Sequence, residues 1–326
     1  MSTAATSSSG PQTTPPHDSR RTHALVFAIM ALILVGAPLV GVYPVFMMKV
    51  MCFALFACAF NLLLGFGGLR SFGHAMFLGG AGYAAAHAAK VWGFTPELAI
   101  AFATLCTTAL GWVTGLLAIR RQGIYFAMIT LALAQMVFFF SLQAPFTHGE
   151  DGIQAVPRGH LFGLIDLSQT FAMYGFVLVI FLAGFALIYR IVHSPFGQVL
   201  QAIRENEPRA ISLGYDADKF KHRAFVLSAA LAGLAGATKA IVFQLASLTD
   251  VHWGMSGEVV LMTLLGGMGT IFGPVVGAAT IVTMQNYLAE LGSWVTVVQG
   301  AIFVVCVLLF RRGIVGEIGN LLKKSL

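Results

Sequence analysis

The sequence predicts an all-α, polytopic membrane protein with about ten transmembrane helices, some short or broken, and both termini in the cytoplasm. Three observations lead there. Of the 326 residues, 58% are hydrophobic and only 10% are charged, and the mean hydropathy is +0.84. Soluble domains carry roughly 25% charged residues, so this chain has too few to wet a globule of its mass, and lipid must face most of its surface. Ten apolar runs approach the length of about 20 residues that crosses a bilayer. Finally, the basic residues sort to one side when those runs are counted.

Taken in order, residues 1–22 are rich in Ser, Thr and Pro and read as a disordered cytoplasmic tail. Arg20 and Arg21 before an apolar stretch have the outward form of an export signal. The run that follows is about 20 residues, too long for a signal core, and no small-x-small cleavage site follows it. It is read as the first span. The spans fall at 24–43, 46–66, 72–89, 97–119, 124–143, 171–190, 223–246, 255–271, 274–291 and 294–310, within a transmembrane domain of residues 23–312. The third, eighth and ninth are short and Gly-rich, so re-entrant or broken helices are expected there. Residues 313–326 form a cytoplasmic C-terminal tail.

With the N-terminus inside, the cytoplasmic segments hold Arg20, Arg21, Arg70, Arg120, Arg121, Arg190, Arg204, Arg209, Lys219, Lys221, Arg223, Arg311, Arg312, Lys323 and Lys324. Those are fifteen of the 19 basic residues, and an odd number of spans would destroy the pattern. The same distribution assigns the net charge of +6 to membrane orientation and argues against nucleic-acid binding. Cys52, Cys58, Cys106 and Cys306 all lie in apolar runs without a CxxC pair, so ordinary packing is expected and no metal site. There is no GxxxxGK[ST] loop, so any ATP used is hydrolysed on another chain.

The substantial cytoplasmic segment is 191–222. Pro195 suits a helix start. Val199, Leu200, Ile203 and Ala202 define an apolar side opposite Gln201, Arg204 and Glu205, Pro208 breaks or restarts the helix, and Gly214 makes a turn. Such a helix lies on the membrane surface, connects spans in solvent, or docks into a partner; the pattern alone leaves all three open. The run Ser194-Pro195-Phe196-Gly197 followed by Ala202-Ile203-Arg204-Glu205-Asn206-Glu207, then Ser212-Leu213-Gly214, resembles the cytoplasmic loop of the LivM-type branched-chain amino-acid ABC transporter permease family. In that family the loop corresponds to the helix seated in a cleft of the ATPase subunit. The resemblance implies that Ala202, Arg204, Glu205, Asn206, Glu207 and Gly214 are the ATPase-coupling residues.

Other motifs extend the resemblance over about residues 45–310. Asn61 to Gly68 with Ser71-Phe72-Gly73-His74-Ala75 is similar to N-L-x-x-G-x-x-G-Q-x-S-x-G-H-A, with Leu69 in place of the usual Gln and Arg70 in place of an apolar residue. Arg120, Gly123 to Ala127 and Thr130-Leu131-Ala132 are similar to the start of another family span. Thr147 to Gly152 resembles T-G-G-x-D-G, with His148 replacing the first Gly. Ser256-Gly257-Glu258 and Leu265 to Pro274 resemble S-x-E and L-G-G-x-G-T-x-x-G-P.

The glycines at Gly65, Gly68, Gly73, Gly266, Gly267 and Gly269 either let helices approach closely or mark breaks that protein or a water-filled cavity must satisfy. Asn61, Ser71, His74, Gln135 and Glu258 are candidates for lining a substrate pathway, against structural roles in helix packing and capping. Gln285 and Asn286 also lie near membrane depth. A carboxylate at that depth costs about 2.5 kcal/mol or more, so Glu258 requires a partner, a proton or water, with Lys239 and Lys49 as possible partners.

The resemblance implies the permease subunit of a binding-protein-dependent importer in the bacterial inner membrane. The expected partners are a second, LivH-like permease, two ABC ATPase subunits, a secreted or periplasmic binding protein and the bilayer. ATP and magnesium would act through the ATPase, with no cofactor bound directly. Leucine, isoleucine or valine is the implied substrate, with urea or short amides as the alternative within the class. An ion-coupled secondary transporter would need several intramembrane carboxylates, and Glu258 is nearly alone. An intramembrane enzyme would need more than Ser71 and His74 at i, i+3, since no third orienting group is visible.

Overall fold

The computed structural model describes residues 16–38, 41–161, 163, 165–289 and 313–321, with scattered positions between 294 and 308. Helix α1 (Pro16–Gly36) already includes residues 16–22 of the predicted tail, while residues 1–15 lie outside the described residues. It also stops short of residue 43, because Ala37 precedes Pro38 and a residue before proline is disfavoured in the helical region. Helix α2 (Pro44–Asn61) starts on a proline and passes directly into a π-helical turn, Leu62–Phe66. Then follow α3 (His74–Lys90), α4 (Pro96–Ala118), α5 (Ile124–Gln143) and α6 (Thr170–Val192).

Helices α7 (Pro195–Glu205) and α8 (Glu207–Ser212) form the polar segment, and α9 (Ala217–Phe243) leads back into apolar sequence. The starts of all three are local. Ser194 Oγ accepts from Gly197 N at 3.4 Å, Asn206 Oδ1 from Arg209 N at 3.0 Å, and Asp216 Oδ1 from Lys219 N at 3.1 Å. The Asp216 cap explains why α9 begins before the predicted span at residue 223, taking in residues 217–222 of the polar segment.

Helices α10 (Trp253–Gly266) and α11 (Gly273–Leu288) are short, as the glycine-rich sequence predicts, and the loop between them turns through Gly267 and Gly269 at positive φ. The predicted span at 294–310 lies for the most part outside the described residues. Residues 313–321 of the predicted C-terminal tail form a further helix, α12 (Gly313–Leu321), packed on α10 and α11. Among the described residues, five helical units are long and apolar enough to cross a membrane: Pro44–Phe66, α4, α5, α6 and α9.

The α2 unit is the axis of the bundle. Its most apolar window is 89% buried inside the protein and that of α9 is 72% buried, against 22% for α5 at the periphery. Helix α2 packs on α6, α9, α10 and α11, while α3, α4 and α9 pack mutually against one another. In lipid there is no hydrophobic drive between helices, so close contact depends on small residues. The α3–α9 seam is accordingly alanine- and glycine-rich. A Cβ on Gly236 would lie 2.7 Å from the carbonyl carbon of Leu78, so a side chain there would force the helices apart.

The loop after α5 adds small β elements that the all-α expectation did not include. Strand β1 (Ile153–Gln154) pairs antiparallel with β4 (Leu245–Ala246), and β2 (His160–Leu161) with β3 (Ile165–Asp166). These ladders satisfy loop backbone groups, and the first fastens the loop to the end of α9.

Candidate functional site: the polar segment and the break in α2

In α7 the apolar side of the helix is real but narrower than expected. Leu200 and Ile203 are buried and Val199 packs against Ile203, Ala210 and Ala217, whereas Ala202 is exposed. Glu205 and Gly214 are also exposed, and Gly214 turns the chain at φ 90°. The other three candidate coupling residues bond within their own chain, although Arg204 and Asn206 are exposed as well. Asn206 caps α8. Glu207 pairs with Lys221 at 2.6 Å and accepts from Gln122 Nε2 at 3.1 Å. Arg204 Nη1 donates to the carbonyl of Gly65, within the π turn of the α2 unit. The outer surface of the segment carries Ile211, Leu213 and Tyr215, 55%, 70% and 42% exposed. Sequence reasoning did not single out these three; the run Ile211 to Tyr215, too short to be a span yet apolar, was the available signal.

The π turn is where the helix axis opens. The amides of Gly67 and Gly68 turn back to Leu64 O, and that of Leu69 to Leu63 O, leaving Gly65 O to Arg204. Beside it, Asn61 Nδ2 donates to Thr270 O at 2.8 Å and its Oδ1 accepts from Gly269 N at 3.0 Å. Asn61 therefore clamps the α10–α11 loop onto the break. A Cβ on Gly65 would lie 2.7 Å from Gly269 N, and one on Gly68 would lie 3.0 Å from Arg204 Cγ. Gly73 packs against the Thr130 carbonyl, and Gly266 and Gly267 contact Gly273 and Gly313. Leu69, in place of the usual Gln, is buried with the core. Arg70 lines a mostly apolar cavity of about 260 Å³ with Leu64, Ser71, Phe72, Val260 and Leu264.

Ser71 and His74 are fully buried and joined in one network. Ser228 Oγ donates to Ala59 O at 2.5 Å, so its oxygen receives the Nε2–H of His74 at 2.8 Å. That tautomer leaves Nδ1 to accept from Ser71 Oγ at 3.2 Å. Phe60 and Phe77 meet the imidazole edge to face at 4.9 and 5.6 Å. Both ring nitrogens are used, Nε2 joining α3 to α9 and through Ser228 to α2 and Nδ1 holding Ser71 of the preceding loop, which makes His74 a packing group in this conformation. Ala75 N adds a bond to Ser256 Oγ on α10 at 2.9 Å.

Gln135 is half-buried on α5. Glu258 is half-buried at the start of α10, beside Gln285 and within electrostatic range of Lys49. Lys239, named above as a possible partner of Glu258, instead forms its ion pair with Asp250 and lies over the Phe53 ring at 5.2 Å from its centroid. Asp250 sits just before α10, outside every predicted span, so sequence reading gave it no role.

A set of lipid-length helices around a central helix that ends in a π turn, with a polar two-helix segment bonded to that turn, is the build of a polytopic helical membrane protein. Residues 43–307 match the family described as branched-chain amino acid transport system / permease component, and the chain belongs to that family. It is 25% identical over 288 residues, 81% of this chain and 68% of the relative, to the high-affinity branched-chain amino acid transport system permease protein LivM of Salmonella typhimurium. The LivM protein of Escherichia coli shows the same identity and coverage. The ribose import permease protein RbsC of Bacillus subtilis is 28% identical over 243 residues, 68% of this chain and 70% of the relative. No solved structure matches the chain.

Proposed function

We propose that this chain is a transmembrane subunit of a binding-protein-dependent ABC importer for branched-chain or related amino acids, working by alternating access. It crosses a bacterial cytoplasmic membrane about ten times with both termini inside. It pairs with a second permease, engages two ATPase subunits that supply ATP and magnesium chemistry, and receives substrate from a secreted or periplasmic binding protein. The observation that carries this reading is the α7–α8 segment: it is fixed to the membrane core through Arg204 and presents Ile211, Leu213 and Tyr215 outward. An exposed apolar strip flanked by charge is the composition of a protein-docking surface. The LivM relatives support amino acids as the substrate class, while the ribose permease relative makes substrate identity the point to test first.

The test is uptake of labelled leucine into vesicles holding the two permeases and the ATPase, with the binding protein outside. Accumulation that requires ATP and survives collapse of the membrane potential supports the proposal. Accumulation that follows the potential and ignores ATP refutes it. A cysteine at the exposed Ala202 crosslinks to the ATPase on the same reading; a folded, inserted chain giving no adduct removes the docking assignment.

A further inference from the structure

We infer that Arg204 is the positioning residue through which movement of the α7–α8 segment reaches the transmembrane bundle, and that it acts on the π turn ending the α2 unit and not on the ATPase. This rests on the proposed importer function and adds which residue transmits the stroke and where it lands.

Three features converge on Gly65. Its carbonyl lacks the Gly67, Gly68 and Leu69 amides, which bond to earlier carbonyls, and takes the Arg204 guanidinium instead. Arg204 also lies along Gly68, where a Cβ would stand 3.0 Å from its Cγ, so the absence of a side chain gives the arginine its passage. On the other side of the turn, Asn61 holds Gly269 N and Thr270 O. A displacement of α7 is thus applied to the π turn that ends the α2 unit and, through Asn61, to the joint between α10 and α11.

The physical case is that a π turn departs locally from the α-helical hydrogen-bond ladder. Its bonds run from i to i+5 in place of i to i+4, and such turns concentrate at functional sites. Ordinary packed helix resists small strains, whereas a two-register element converts them into a discrete step. Leu64, in the turn, and Arg70, just beyond it, line the 260 Å³ cavity with Val260 and Leu264 of α10. A change of register would therefore reshape this pocket, which opens to the surface at Arg70 and Phe72. Arginine suits this role better than lysine, since its planar fork holds direction as well as charge.

The experiment uses the complete importer in liposomes, measuring ATP hydrolysis and substrate uptake on the same preparation. For Arg204→Ala the expected result is ATP hydrolysis within about twofold of native and uptake reduced at least about tenfold, so that uptake per ATP collapses. Arg204→Lys is expected to fall between the two, and Asn61→Asp, which keeps the acceptor for Gly269 N but loses the donor to Thr270 O, to show the same uncoupling. The double variant should lose no more than the worse single one, because both act on one path. Unchanged uptake per ATP in Arg204→Ala overturns the inference. So does a parallel fall in hydrolysis and uptake, which would make Arg204 a docking residue. If Arg204→Ala does not assemble, the decision passes to Arg204→Lys and Asn61→Asp, and native coupling in both overturns it. Failure of the native chain to support any ATP-driven uptake would instead count against the importer function itself.

Discussion

Replacing Asp250 with Asn tests how the end of α9 is held. Lys239 and Asp250 form an ion pair whose side chains are 16% and 12% exposed, with Phe53 beneath the ammonium group. Removing one member strands the other in a poorly hydrated position, at a cost of about 3 kcal/mol, the low end for buried pairs because both retain some access to solvent. Lys239→Met strands the carboxylate and is expected to cost a similar amount. The double variant restores charge balance and keeps most of the packing, so it should lie within about 1 kcal/mol of native. The measurement is equilibrium unfolding in mixed micelles for all four proteins, read as a double-mutant cycle. Those figures imply a coupling energy of about 5 kcal/mol, while a value below about 0.5 kcal/mol, the level of independent sites, would refute the reasoning.

Three further outcomes follow from the geometry. His148 stands where the family pattern has glycine and adopts φ 61°, ψ 23°; His148→Gly should stabilise the protein by about 1 kcal/mol in the same unfolding assay, since the left-handed region penalises a Cβ. Gly236→Ala would drive its Cβ to 2.7 Å from the Leu78 carbonyl carbon, and a loss of about 1–3 kcal/mol is expected from overpacking the α3–α9 seam. The Asp216 carboxyl is held below the usual carboxylate range by the Lys219 side chain and the Lys219 backbone amide. A depressed value means its contribution is full above the unfolded-state range and is lost as pH falls below about 4. Asp216→Asn should therefore flatten the acid limb of thermal stability, and an unaltered limb would show that the cap does not contribute.

Local chemistry was legible in the sequence wherever the structure is made by neighbours. Pro195, Pro208 and Gly214 marked the start, restart and turn of the polar segment because their effects act on their own dihedral angles. The short, glycine-rich α3, α10 and α11 were recognisable for the same reason. The early start of α9 was missed although its Asp216 cap is local, because the polar residues 217–222 masked a helix whose apolar part begins later. The ends of α1 and the strand pairs were missed through proline punctuation and through pairing between residues far apart in the chain.

The site divides along the same line. The family resemblance implied a partner-facing role for Arg204, and the helix pattern alone left its direction open; only packing brings it to Gly65, 139 residues away. Lys239 needed a partner, and nothing in the periodicity distinguished Glu258 from Asp250. His74 and Ser71 stood at a spacing compatible with chemistry, and it took Ser228, 154 residues on, to show a ring with both nitrogens occupied.

By itself the sequence determined the solvent of this protein, its helical class and its family, because hydropathy, helix-length apolar runs and ordered motifs are properties of the chain read in line. The tertiary structure decided which polar groups meet. A hydrogen bond in a lipid-embedded bundle depends on helix rotation and depth to within about an ångström, and those are fixed only when all the helices have packed.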